Sequence, residues 1–150
     1  WFRQQQELSK GDLQHIAGYA ASYINLYREL SLMENLAFIQ RLRGEHFSAA
    51  RARELLQVAG LGDQCDQPFG KLSTGQQQRA RLTSALITDP FILLLDEPGS
   101  NLDEGGKAFV ADTIASFCEK GKLVILASNN REELDLADRI YSVADLTFEH

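Results

Sequence analysis

The chain has 150 residues, of which 44% are hydrophobic and 24% are charged, a composition that suits one domain, or most of one, with a single core. The formal net charge of -6 argues against a nucleic-acid partner, because binding to backbone phosphates needs clustered Lys and Arg. Cys65 and Cys118 have no neighbours at ligand spacing, so neither a zinc site nor a disulfide framework is predicted. No apolar run in the sequence approaches the roughly 20 residues that a membrane helix needs.

The first part of the chain predicts a polar turn at residues 9–12 and a short strand at residues 16–21. This strand has no obvious upstream partner, and the chain does not begin with Met. We therefore expect that residues are missing before Trp1.

Two helices are predicted next. Ser31 and Glu34 form a capping-box pattern, so a helix should begin there and end near Gly44. Its apolar face is predicted to consist of Leu32, Leu36, Ile39 and Leu42. Residues 47–59 predict the second helix. Arginines near these helices alternate with glutamates and predict a solvated face: Arg41, Arg43, Arg51 and Arg53.

Beyond Pro68, strands alternate with helices, which predicts an α/β architecture. Continuous apolar runs predict buried strands of a largely parallel sheet at residues 91–95 and 123–127, and a further strand is predicted at 139–143. A helix over residues 103–120 should bury Phe109, Val110, Ile114 and Phe117, and Asn130 should cap another.

A second capping-box pattern, Ser73 with Gln76, predicts a helix that runs toward Thr88. The free N–H groups and positive dipole end of such a helix favour an anion, and Gly75 lets a phosphate approach the backbone. The alternative interpretation is an ordinary capped helix after a loop.

Asp96 and Glu97 follow the apolar run at 91–95, which places two carboxylates at the C-terminal end of a buried strand. Ligands of open α/β sheets bind at this end. An aspartate there suits Mg²⁺, and the adjacent glutamate suits the orientation and deprotonation of an attacking water. The alternative is a solvated acidic pair.

With these motifs in place, essentially the whole chain resembles the ATP-binding subunits of ABC transporters. Residues 72–76 look like the signature motif, residues 95–97 like the Walker B strand, and residues 99–103 like the D-loop. The resemblance implies a P-loop NTPase-like α/β fold with a largely parallel sheet, an α-helical subdomain and the first part of the core missing. It implies the end of the N-terminal core lobe at residues 1–22, a helical subdomain at 23–72, and the signature helix with the remaining RecA-like core at 73–150.

The resemblance also implies roles for particular residues. Glu97 is the expected catalytic residue and Asp96 the expected Mg²⁺ ligand, while Asp103 belongs to the D-loop that touches the partner. The ATP of the opposite subunit is expected to contact Ser73, Thr74, Gly75 and Gln76. The implied assembly is a homo- or heterodimer that binds ATP and drives an integral membrane transporter subunit, without nucleic acid, on the cytoplasmic face of the membrane.

Three departures from the family pattern stand out. No Gly-x-x-x-x-Gly-Lys-Ser/Thr loop (Walker A) occurs, so we expect this fragment alone to be inactive. Ser22 stands where the family usually has the Q-loop glutamine, and Asn129 stands at the position of the switch histidine. Asparagine forms hydrogen bonds but carries no proton or positive charge, so slower hydrolysis is expected.

Two other interpretations remain open. One is a nucleotide-dependent regulatory or binding module with degenerate catalysis, which Asn129 and Ser22 favour. The other is a non-transport ATPase of the same type, such as those of DNA repair. Such proteins carry a long coiled coil between their halves, whereas only two short predicted helices separate Ser22 from Leu72.

Overall fold

The structure is a computed structural model that describes residues 15–142. The expected turn at residues 9–12 lies outside this range. In chain order the elements are β1 (Ala17–Ala21), α1 (Leu32–Leu42), α2 (Ala49–Val58), α3 (Thr74–Leu86), β2 (Ile92–Asp96), α4 (Glu104–Glu119), β3 (Leu123–Ala127) and α5 (Arg131–Leu134), with short 3-10 turns at Gly62–Gln64 and Phe69–Lys71.

The three strands form one parallel sheet in the order β1-β2-β3. Ala21 pairs with Asp96, which pairs with Ala127, so all three strands end at one edge. The predicted α/β architecture with a parallel sheet is confirmed.

Helix α3 packs directly on β1 because Gly18 has no side chain. A Cβ atom at Gly18 would overlap the Ala85 carbonyl oxygen and crowd the Pro90 ring. The face of α3 that carries Ala85 is buried, and Leu93 and Leu95 of β2 are buried with it. One contiguous apolar core therefore joins the sheet to the helices.

A capping box and one buried amide side chain fix the start of helix α1. Ser31 and Glu34 form both halves of the predicted capping box of α1. The Asn35 side chain, missed by sequence reasoning, is fully buried, accepts from the Tyr27 N–H and donates to the carbonyls of Tyr27, Leu30 and Ser31. It thereby fixes the loop that enters α1.

Two predictions about this region are wrong in detail. Leu42, expected on the apolar face, is exposed, because it lies about 80° around the helix from Leu32. Arg43 and Arg51 are half-buried rather than solvated. Arg43 donates to the Ala17 carbonyl (2.7 Å), and Arg51 donates to the carbonyls of Leu86 and Ile87 at the C-terminus of α3.

The α4 and β3 region contains two further corrections. The predicted buried side of α4 is confirmed, but Leu123 and Ile125 of β3 are exposed, so this strand is not buried on both faces. Residues 139–142 form no strand, contrary to prediction, and residue 143 lies outside the described range. Within residues 15–142 no strand pairs with residues 139–142, and a segment without such a partner forms no ladder of backbone hydrogen bonds. The second edge of β3 is also unpaired within this range.

A groove of about 480 Å³ lies beside this free edge. Its lining is mainly apolar and includes Ile114, Leu123, Ile125, Leu134, Leu136 and Tyr141. Among residues 15–142, no helix has both the length and the apolar composition required to cross a bilayer.

Candidate functional site

The C-terminal edge of the sheet brings several of the predicted site positions together. Ala21, Asp96 and Ala127 are aligned, so the next residues along each strand, Ser22, Glu97 and Ser128, follow at the same edge. The strand register therefore brings Ser22, Asp96, Glu97 and Asn129 to the same edge of the sheet, and their assignment to one site stays a prediction.

Glu97 adopts an unusual backbone conformation. Its φ angle is +49°, in the left-handed region that a residue with a side chain rarely occupies. Its N–H donates to the Ala127 carbonyl (2.9 Å), and its carboxylate Oε1 accepts from the Asn129 N–H (3.0 Å). Two hydrogen bonds to the segment at the end of β3 therefore hold Glu97 in this conformation. Residues with such rare backbone conformations cluster at active sites.

Asn129 contacts Glu97 through its main chain and not through its side chain, which is exposed. The following residue, Asn130, caps α5 by accepting from the Glu132 N–H, and its own N–H donates to the Ser128 hydroxyl. The turn at 128–130 is thus fixed locally. Sequence reasoning weighed only the side chain at position 129 and missed this backbone contact.

The segment that resembles the signature motif forms the N-terminus of α3. Ser73 and Gln76 make both halves of the predicted capping box. Ser73 and Thr74 are exposed, and Gly75 is half-buried. A Cβ at Gly75 would lie 3.3 Å from the Asn101 carbonyl oxygen, so this glycine also allows the helix to approach residues 99–103.

Residues 99–103 form a tight turn that ends in a helix cap. Asn101 has a φ angle of +61°, a conformation that asparagine tolerates better than most residues. The Asp103 carboxylate accepts from the Gly106 N–H (2.8 Å) and caps α4. The structure thus gives this carboxylate, which the resemblance assigns to a partner-contacting loop, an intramolecular role as the N-cap of α4.

Two side chains that sequence reasoning missed hold the turn after Glu97. Gln78 of α3 donates to the Pro98 carbonyl (3.2 Å), and Glu133 of α5 accepts from the Gly99 N–H (3.0 Å). Both side chains are buried, and the second carboxylate oxygen of Glu133 has no partner among the described residues. Helical spacing offered a signal for Gln78, since Gln78, Arg81, Leu82 and Ala85 follow the i, i+3, i+4, i+7 pattern of a buried face.

The site fits a magnesium ion that is shared with a phosphate. Within residues 15–142, no group of three His, Cys, Asp or Glu side chains comes together to hold a metal alone. Mg²⁺, however, commonly takes only one or two carboxylates and completes its shell with phosphate oxygens and waters. Asp96, half-buried at the end of β2, supplies a donor of this type.

Comparisons with known sequences identify relatives over most of the chain. Residues 3–100 match the family model described as "ABC transporter". The chain is 34% identical over 131 residues to the lipoprotein-releasing system ATP-binding protein LolD 2 of Caulobacter vibrioides, covering 85% of this chain and 58% of that protein. It is 39% identical over 131 residues to the daunorubicin resistance ATP-binding protein DrrA3 of Streptomyces coeruleorubidus, covering 85% of this chain and 41% of that protein.

Solved structures agree with this assignment. One neighbour is a dimeric ATP-binding cassette in a post-hydrolysis state bound to ADP and Pi, with a TM-score of 0.72 and 25% identity over 87% of this chain and 60% of the other. A dimeric bacterial ABC transporter cassette shares the fold, with a TM-score of 0.76 at 24% identity, covering 89% and 62%. The chain thus spans about 60% of these cassettes. From the family match, the identity to curated relatives and the shared fold, we conclude that the chain belongs to the ABC transporter family.

Proposed function

We propose that this chain is part of an ABC transporter subunit that binds and hydrolyses ATP as a homo- or heterodimer and drives an integral membrane partner. The observation that carries the proposal is the placement of Glu97, whose strained backbone and Asn129 contact present a carboxylate at the C-terminal edge of the sheet. Relatives named as ATP-binding proteins of transport systems support it.

In the proposed mechanism, Glu97 orients the attacking water and accepts its proton. The Asn129 N–H holds one carboxylate oxygen (3.0 Å), which leaves the other free to contact the water. Asp96 is the proposed Mg²⁺ ligand, and the ion would neutralise charge on the phosphates. Ser22 and the Asn129 side chain lie at the same edge and are the proposed polar contacts to the nucleotide.

The N-terminus of α3 is proposed to serve the ATP held by the opposite subunit. Ser73, Thr74, Gly75 and Gln76 form its cap and first turn, where unpaired N–H groups and the helix dipole favour a phosphate. The dimeric state of both structural neighbours supports this arrangement. Asp103 and the rest of the turn at 99–103 lie beside Gly75 and are proposed to meet the partner there.

The phosphate-binding loop of the site is proposed to come from polypeptide outside these 150 residues. A parallel strand that pairs with the free edge of β3 would take up the backbone N–H and C=O groups there and extend the sheet. Without that loop, the chain by itself is expected to hydrolyse no ATP.

The proposed domain division is the end of the N-terminal core lobe at 1–22, a helical subdomain at 23–72, and the signature helix with the remaining core at 73–150. The membrane partner is proposed to dock on the cytoplasmic side against the loop that enters α1. That loop exposes Tyr23 and Tyr27, and the Tyr27 ring packs edge-on against Phe38 at 4.9 Å.

The test is ATP hydrolysis by the protein that contains this chain, compared with its Glu97→Gln variant. Removing the general base should lower kcat by about 10²-fold or more while ATP still binds. Glu104→Gln is the matched control, because Glu104 is an exposed glutamate in the first turn of α4 and should leave turnover unchanged. Unaltered turnover in Glu97→Gln would rule out the proposed role of Glu97.

A second candidate is a regulatory module that binds nucleotide without hydrolysing it, which the asparagine at position 129 and the serine at position 22 favour. Measured ATP binding, with no turnover above that of Glu97→Gln, would select this candidate over the ATPase.

A further inference from the structure

A buried arginine in α3 spans two segments of the proposed ATP site. Arg81 is 8% exposed, and within residues 15–142 no carboxylate forms an ion pair with it. Its Nε donates to the Ile24 carbonyl (2.6 Å) in the segment after β1, and its Nη1 donates to the Gln78 Oε1 (3.3 Å). The guanidinium also lies 5.4 Å from the centroid of the Phe69 ring.

Gln78 continues this connection toward Glu97. It is 4% exposed, and its Nε2 donates to the Pro98 carbonyl at 3.2 Å and the Glu97 carbonyl at 3.5 Å. A guanidinium only donates and a carbonyl only accepts, so a single amide orientation satisfies both sides. Gln78 must turn its oxygen toward Arg81 and its nitrogen toward the turn after Glu97.

We propose that Arg81 and Gln78 are positioning residues that couple the segment after β1, which contains Ser22, to the backbone that carries Glu97. The coupling runs through direct contacts. The Arg81 guanidinium holds the segment after β1 and orients the Gln78 amide, and this amide holds the turn after Glu97. A displacement of residues 22–24 is thereby transmitted to the general base. The catalytic consequence rests on the proposed function, whereas the coupling itself does not.

The burial of Arg81 argues for a role beyond packing in the core. A buried guanidinium without a carboxylate partner is costly, and an aliphatic side chain would pack in the same core without that cost. Burial also lowers the pKa of this guanidinium. Its donors are instead directed at a main-chain carbonyl from a distant segment and at the Gln78 amide, which contacts the turn after Glu97.

Amide hydrogen exchange on the chain without nucleotide tests the coupling. Arg81→Met should speed exchange about fivefold at the segment after β1, as expected for the loss of one net hydrogen bond there, and should also speed it in the turn after Glu97, because Gln78 loses the partner that orients its amide. The reporting amides are those of Ile24, which donates to Ala21, and of Ser100 and Leu102 in the turn after Glu97. Gln78→Met should speed exchange only in that turn.

Arg79→Met is the matched control. Arg79 lies on the same helix but donates to the Ala59 carbonyl near the end of α2, so its loss should leave both reporting segments unchanged. A response of only one segment to Arg81→Met, or an equal response to Arg79→Met, would overturn the proposal. If Arg81→Met does not fold, Arg81→Lys replaces it, because a single ammonium cannot reproduce both contacts in their fixed geometry.

Kinetics on the ATP-hydrolysing protein then separate positioning from general destabilisation. Arg81→Lys should lower kcat several-fold and change KM for ATP by a smaller factor, since Arg81 contacts no residue of the proposed signature segment and acts on Ser22 only through the segment after β1. A loss of kcat that accompanies a loss of thermal stability, with both restored by excess ATP, would contradict a positioning role. Absence of hydrolysis in the unsubstituted protein would count against the proposed function alone, because the exchange result stands without nucleotide.

Discussion

At position 129 the main chain and the side chain have separate tasks. The Asn129 N–H holds Glu97, and a substitution leaves that bond in place, while the exposed side chain is free to change. Asn129→His should therefore raise ATP turnover, by about tenfold, because an imidazole carries a proton that an amide does not. Steady-state hydrolysis rates, with Asn129→Ala as the control for loss of the side chain, check this prediction. No gain with histidine would contradict it.

Glu133 holds the neighbouring turn with a buried carboxylate. Glu133→Ala leaves the Gly99 N–H without its partner and should lower the free energy of unfolding by about 1–3 kcal/mol. Glu133→Gln keeps one acceptor oxygen for that N–H and should cost less than about 1 kcal/mol. Denaturant titration of both variants measures the difference. Equal losses for glutamine and alanine would show that the hydrogen bond to Gly99 is not what Glu133 contributes.

At the scale of elements, the contact between β1 and α3 depends on one glycine. Gly18→Ala should destabilise the fold by about 1–3 kcal/mol, because the added methyl group meets the Ala85 carbonyl and the Pro90 ring. Gly105→Ala is the control. Its methyl group would lie 3.9 Å from the Asp103 side chain in the first turn of α4, so it should be neutral or stabilising by up to about 1 kcal/mol. Thermal and denaturant unfolding compare the two variants, and similar losses would refute the steric argument.

The sequence predicted elements wherever local chemistry decides them. The capping boxes at Ser31 and Ser73 placed two helix starts correctly, and apolar runs located β2 and β3. Predictions failed where distant segments decide the outcome. Arg43 and Arg51 bind carbonyls that come near only after folding, and residues 139–142 remain without a ladder partner. The same limit hid Gln78 and Glu133, whose contacts join segments about 20 and 34 residues apart.

At the scale of the whole molecule, Asp89 joins two distant parts of the chain. Its carboxylate pairs with Lys122, just before β3, at 2.8 Å and with Arg51 of α2 at 3.3 Å. The hydrogen bond from Lys122, with the charges of Lys122 and Arg51, lowers the pKa of Asp89. Its ionised form therefore stabilises the fold above the ordinary carboxyl pKa of about 4, and this contribution is lost as the pH falls through the lower folded value.

Asp89→Asn should accordingly lower stability at pH 7, and the difference should vanish once the pH has fallen below the lowered pKa that Asp89 has in the folded state. The expected effect is below about 1 kcal/mol, because the Asp89 side chain is 68% exposed. Asparagine also tolerates the φ angle of +47° at this position, so the backbone is not disturbed. Melting temperatures from pH 2.5 to 7, with the exposed Asp112→Asn as control, measure it, and a difference that persists in acid would contradict the electrostatic origin.

The left-handed backbone of Glu97 sets stability and activity against each other at a single position. Glycine or asparagine would relieve a strain of about 1 kcal/mol there, yet either would remove the carboxylate that the site presents. A library selected only for heat resistance should therefore enrich these residues at position 97 and yield stable proteins that lack the proposed general base. Engineering of this chain for stability should hold position 97 fixed and draw its gains from elsewhere.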